Sequence, residues 1–200
     1  NILYRYMYKN RLKPLEKMRS INIMGIAVFR IILFSSTNLG YCKVSKTSPK
    51  YQRIDTLKVL ESIKANYALI NKKATEFRIV KKTIEGESTE GGEAIGYFQQ
   101  KNLKKVVTTL YGETGKCIIE DYYDDNGLYF EYRKDYYYNK PISENKYCTI
   151  KSTKESRFYY FNNTLISWID QGKIINPNSK QFKEFSREPK WDARKVFGMQ

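Results

Sequence analysis

Histidine is absent from all 200 residues. Without it the chain cannot build a Ser-His-Asp or Cys-His nucleophile, a His-ligated zinc site, or the imidazole base that many enzymes use near neutral pH. Acid–base chemistry would fall to carboxylates, Lys or Tyr. Cysteine is almost as scarce: the three are Cys42, Cys117 and Cys148, with no CxxC spacing, so a thiol-based metal cluster or redox motif is excluded as well. If Cys42 is removed or lipidated, Cys117 and Cys148 are an even pair that an oxidising compartment could join; two buried free thiols are the alternative. The patterns G-x-G-x-x-G, Walker A and G-x-S-x-G do not occur, and Gly91-Gly92 lies in a Glu/Ser/Gly-rich connection. A calcium loop fails too. With Gly127 as its glycine, Tyr122 and Arg133 would occupy ligand positions that require acids. No cofactor and no metal is expected.

What the chain does have is a hairpin written in one run, Glu-Asp-Tyr-Tyr-Asp-Asp-Asn-Gly-Leu-Tyr-Phe-Glu-Tyr-Arg over 120–133. Asn126-Gly127 is the pair that best tolerates the two positive φ values of a type I′ turn. That turn sets Tyr123 opposite Phe130, Asp121 opposite Tyr132, Ile119 opposite Lys134 and Cys117 opposite Tyr136 on an apolar face. Ile118, Glu120, Tyr122, Asp124, Tyr129, Glu131, Arg133 and Asp135 then share the wet face, with Glu120 and Arg133 as a cross-strand ion pair. Asp121 becomes a lone acid on the buried side, best explained as the acceptor of a Tyr hydroxyl.

Related units flank this run. Residues 97–103 and 158–165 each set an aromatic pair before a polar turn and an aliphatic residue after it, and Gly112-Glu-Thr-Gly115 supplies another turn. Their uneven spacing argues for an open antiparallel meander and against a propeller or solenoid. Ahead of them Asp55 is a credible helix N-cap, with Leu60, Ile63, Tyr67 and Ile70 at helical spacing up to about Asn71; 77–84 is the first strand. The tail from Ser179 carries Phe182 and Phe185 on one side, then Pro189, then Trp191 and Val196 before a stop at Gly198. The fold class is therefore α+β: an N-terminal amphipathic helix packed on an antiparallel β-meander, with a short C-terminal helical tail.

The formal charge of +15 is not gathered into a stripe. Residues 1–42 hold seven Lys or Arg against Glu16 alone, and the rest is spread along the chain. Richness in Lys, Asn, Ile and Tyr follows A/T-rich coding, and no RNP-like strand or Gly-rich basic loop is present, so the composition argues against nucleic acid as a partner.

Residues 21–34 are apolar apart from Asn22, Gly25 and Arg30 and follow Met18-Arg19-Ser20. Fourteen residues are too few to span a bilayer but suit the core of a signal peptide; a buried helix is the competing reading. The expected organisation is upstream read-through or cloning-derived sequence over 1–17, a signal peptide over 18–42, a polar tether over 43–50 and one α+β domain over 51–200. Leu39-Gly-Tyr-Cys42 resembles a bacterial lipobox except at Tyr41, where a small residue is the rule, so both lipidation of Cys42 and simple cleavage near 40–43 stay open. The membrane would be met only through that signal peptide or lipid anchor.

The block 97–139, with Leu-Lys-Lys-Val, Tyr-Gly-Glu-Thr-Gly and Tyr-Tyr-Asp-Asp-Asn-Gly-Leu-Tyr-Phe, resembles uncharacterised exported bacterial envelope proteins in which a helix precedes an antiparallel meander. More distantly it is similar to the Asn-Gly hairpin repeats of MORN-like and antitoxin-type modules. The resemblance covers under half the chain, marks turns and strands, and implies an envelope protein of the periplasm or outer envelope without catalytic residues to carry over. The functional expectation is a non-catalytic exported binding module that uses a Tyr-rich sheet face, with Tyr129, Tyr137 and Tyr138 as contact residues for a protein or envelope ligand. The alternatives are a cytosolic immunity or antitoxin-like protein and a carboxylate-based hydrolase.

Overall fold

The computed structural model describes residues 55–144 and 148–199. The expected leader, the tether and Cys42 lie outside the described residues. Asp55 opens helix α1 (Thr56–Lys72), its carboxylate accepting the Lys58 amide at 3.5 Å. Val59, Leu60, Ile63 and Ile70 follow at spacings that place them on one stripe, and this stripe packs on the sheet. A 3-10 turn (Ala74–Glu76) leads into eight strands: β1 (Arg78–Ile84), β2 (Gly92–Gln99), β3 (Asn102–Gly112), β4 (Gly115–Asp124), β5 (Gly127–Tyr138), β6 (Ile150–Phe161), β7 (Thr164–Asp170) and β8 (Lys173–Ile174). Each pairs antiparallel with the next in chain order, in one sheet. Helix α2 (Lys180–Arg187) follows, with the Ser179 hydroxyl accepting the Phe182 amide at 3.2 Å. A 3-10 segment (Ala193–Phe197) closes the chain at Gly198, φ +72°. The architecture is thus mixed α+β dominated by a meander. Among the described residues no helix is long and apolar enough to cross a membrane.

The β4–β5 register differs from the expected one by a single residue, with large consequences. The loop residues are Asp125 and Asn126, closed by the pair Asp124 and Gly127, and only Gly127 has positive φ, +109°. The cause is local: the Asp124 carboxylate accepts the Asn126 amide at 2.8 Å, an Asx turn that fixes the chain one residue early. A bulge then leaves Tyr129 without an opposite residue, so that Tyr123 faces Leu128 and Tyr122 faces Phe130. Beyond it Asp121 faces Glu131, Ile119 faces Arg133 and Cys117 faces Asp135. A one-residue slip turns every side chain of a strand to the other face. The expected Glu120–Arg133 ion pair accordingly does not form. The paired positive φ of a type I′ turn occurs instead at Asn162–Asn163 (+48°, +59°) and Gln171–Gly172 (+47°, +78°).

Neither face of the sheet is uniformly wet. On one, the α1 face, the helix stripe meets Tyr122, Tyr129, Phe130 and Tyr159, with Tyr67 edge-on to Phe130 at 5.3 Å between centroids. On the other, the tail face, Phe185 of α2 stacks on Phe158 at 4.7 Å and 13° and lies 4.9 Å from Trp168. From there the tail runs back toward β1–β3 and sets Phe197 edge-on to Phe98 at 5.7 Å. Gly96 makes room for it, since a Cβ there would meet the Phe197 ring at 2.9 Å. Burying aromatic side chains on both faces contributes roughly 2–3 kcal/mol each.

Candidate functional site

At its C-terminal end α1 is tied to the sheet by a closed polar ring. Tyr122 donates its hydroxyl to Glu120 Oε2 at 2.6 Å and accepts from Asn71 Nδ2 at 3.0 Å; Lys105 Nζ donates to Asn71 Oδ1 at 3.0 Å and pairs with Glu120 at 2.7 Å. Burial, followed by the Glu120 contact, raises the Tyr122 phenol above its ordinary value and keeps it a donor. Every strong charge in the ring has a partner.

Away from the helix the α1 face opens into cross-strand rows that the register fixes. One row runs Thr109, Ile118, Lys134, Glu155 and the next Tyr111, Lys116, Tyr136, Thr153. Lys116 and Lys134 flank the Tyr136 ring, their Nζ atoms 5.2 and 5.5 Å from its centroid. Lys134 is also paired with Glu155 at 2.9 Å, whereas Lys116 has no carboxylate within ion-pair distance among the described residues. Tyr111 is 38% exposed and donates to Glu93 at 3.1 Å. Its phenol is raised by burial, by Glu93 and by the neighbouring Tyr138. Tyr138 pairs with Ile150, an exposed aliphatic. Strands about 4.8 Å apart set Tyr111 and Tyr136 roughly 10 Å from each other along the row. The patch is half-exposed, aromatic and cationic.

The tail face is different in kind. Asp121, 3% exposed, stands directly opposite Glu131 on the neighbouring strand. The Tyr123 side chain, two residues along β4, favours the ionised form of Asp121, and Glu131 accepts from Tyr160 at 3.4 Å. Burial, then the facing Glu131 and Asp192, hold the Asp121 carboxyl well above the usual carboxylate range; burial raises Glu131 as well, against the pull of Arg133 and Lys190. One row down, Arg133 grips Asp135 through Nε and Nη2 at 3.1 and 3.0 Å, both residues buried. The slipped register thus gathers on the tail face charged side chains expected in solvent, and sets Glu131 opposite Asp121, the acid expected to stand alone. A parity argument that allowed for a bulge after the Asx turn would have found that pair.

The residues singled out from sequence do not share one site. Tyr129 is core, 6% exposed, with its buried hydroxyl lacking a hydrogen-bond partner among the described residues, so it is not a surface contact. Tyr137 lies on the tail face with Lys154 Nζ 5.6 Å from its ring, while Tyr138 lies on the α1 face. Cys117 and Cys148 are both free thiols and form no disulfide; burial pushes the Cys117 thiol up and keeps it protonated. Two shallow clefts of about 140 and 200 Å³ flank α1 near the hairpin loops, and Asp124 is the one carboxylate lining either of them. Among the described residues no cluster of His, Cys, Asp or Glu could hold a metal ion. Compared with protein-family models, curated proteins and solved structures, the chain finds no match.

Proposed function

We propose that the chain is a non-catalytic binding module of the bacterial envelope, exported by the segment 18–42, whose contact surface is the open part of the α1 face. The observation that carries this reading is the row Tyr111, Lys116, Tyr136 with Tyr138 beside it. Tyr offers a large amphipathic contact at small entropic cost, and the lysines are already ordered against the rings, so a protein partner meets a largely preorganised patch. The patch lies on strands of the rigid sheet and not on loops. The hydrolase alternative has its two facing acids on the tail face, away from both clefts.

The test is site-specific photo-crosslinking in intact cells. A crosslinker at Tyr136 should capture one partner protein from the envelope fraction, one at the exposed Leu57 of α1 should not, and the double change Tyr111→Ala, Tyr138→Ala should abolish the product while leaving the circular dichroism spectrum unchanged. Equal yields from positions 136 and 57, or recovery of uncleaved chain from the cytosol, would reverse the proposal.

A further inference from the structure

We propose that the C-terminal segment 188–198 is a proton-linked clasp: it sheathes the tail face when Asp121 and the facing Glu131 share a proton, and lifts from the sheet when both are ionised. The proposal is independent of the reading of the α1 face. It begins from placement. Asp121 and Glu131 are opposite residues of neighbouring antiparallel strands, so their Cβ atoms stand about 5 Å apart on the same side of the sheet. Val106 and Phe158 bound them along the row, one on each side. Water reaches Asp121 hardly at all.

What covers this row is the tail. Ala193 is fully buried, and Phe197 is seated in the space that Gly96 leaves. The segment brings three groups to the acids. Lys190 acts on Glu131 but spends its hydrogen bond on the Phe185 carbonyl at 2.6 Å and lies 3.2 Å from the Phe185 ring centroid. Asp192 adds a third negative group facing Asp121, though it is held by Arg194 at 2.8 Å. Arg194 lies 5.4 Å from the Tyr123 ring centroid. From the strands, Tyr123 faces the pair on β4, Arg133 with its partner Asp135 on β5, and Tyr160 on β6; Glu188 at the start of the segment acts on Lys190. Two carboxylates in one buried row repel each other unless a proton is shared.

The direction follows from linkage. Asp121 is raised in the closed state, which therefore binds more protons than an open, solvated one; closure is strongest near and below the ordinary carboxylate pKa and weakens as pH climbs from there toward the raised value. Lys190 works the other way. Burial pushes its ammonium down to about 8, so the cost of covering it is relieved only as pH rises from about 8 toward its ordinary 10.5. The clasp is therefore tightest at and below the ordinary carboxylate pKa and loosens above it, with Lys190 offsetting part of that loss only above about pH 8.

Hydrogen exchange read by mass spectrometry on the full chain tests this. The tail holds reporter amides, Lys195 to Asp192, Gly198 to Lys195 and Met199 to Arg194. Wild type and Asp121→Asn are compared at the same pD, so that the intrinsic rate cancels. The Asn variant mimics the protonated acid. The expected rate ratio for 190–199, wild type over variant, is near one at about pD 3 and rises severalfold or more by about pD 8, with no change over β3–β5. Glu131→Gln should behave like Asp121→Asn. A ratio that stays flat with pD overturns the proposal, as does exchange of the tail in step with β3–β5. If neither variant folds, the wild type decides alone: its tail opening, corrected for intrinsic rate, must rise between pD 3 and 8 while β3–β5 does not.

Discussion

The two faces of the sheet bury charge in opposite ways. On the α1 face Lys105, Glu120, Asn71 and Tyr122 close on one another, each donor meeting an acceptor. On the tail face Arg133 and Asp135 are matched, but in the next row two acids face each other with a third beyond them. A closed network adds rigidity and responds little to solution conditions, whereas an unmatched pair stores a dependence on protons. Strand β4 takes part in both.

The largest effect should come from breaking the matched pair on the tail face. Arg133→Met leaves Asp135 buried without its main partner and should cost about 3–5 kcal/mol in urea unfolding, more than any change in the α1 ring. The register decides which face these charges occupy, so the comparison falls if the turn is otherwise. Gly127→Val, forced to φ +109° with its Cβ 2.8 Å from Asn163 Oδ1, should cost about 1–3 kcal/mol, while Asn126→Ala changes stability by less than about 1 kcal/mol. Comparable losses from both would restore the type I′ reading. On the α1 face Tyr122→Phe removes one hydroxyl from the ring and should cost about 1–2 kcal/mol, nearly constant from pH 5 to 8. The smallest net effect is that of Asp121→Asn below the ordinary carboxylate range, where the wild-type acid is protonated in both states. As pH rises the wild type loses stability that the variant keeps, so the Asn form should be the more stable at pH 8, read from paired denaturation curves.

The local features of the fold were legible because they depend on neighbours in sequence. Asp55 and Ser179 are caps by their own side chains, Gly112 to Gly115 is a turn by composition, and Phe182 and Phe185 share a face by helical spacing. The β5 facing was not legible from parity, because the Asp124 side chain competes with the Asn-Gly preference and the bulge at Tyr129 follows from packing under α1. That one competition moved Arg133, Asp135 and Glu131 from water to the tail face, and Tyr129 into the core. Of the contact residues, Tyr138 lies on the open face and Tyr137 does not, since neighbours in a strand point apart.

The sequential order of the strands bears on how the chain folds. Each strand pairs only with the one just made, so the sheet can grow by zippering short loops, which is the low-contact-order regime of fast folding. The return of the tail from α2 toward β1–β3 is the exception, because it closes a loop of about a hundred residues. That closure belongs after the rate-limiting step. A chain ending after residue 187 should then fold as quickly as the whole, and come apart sooner.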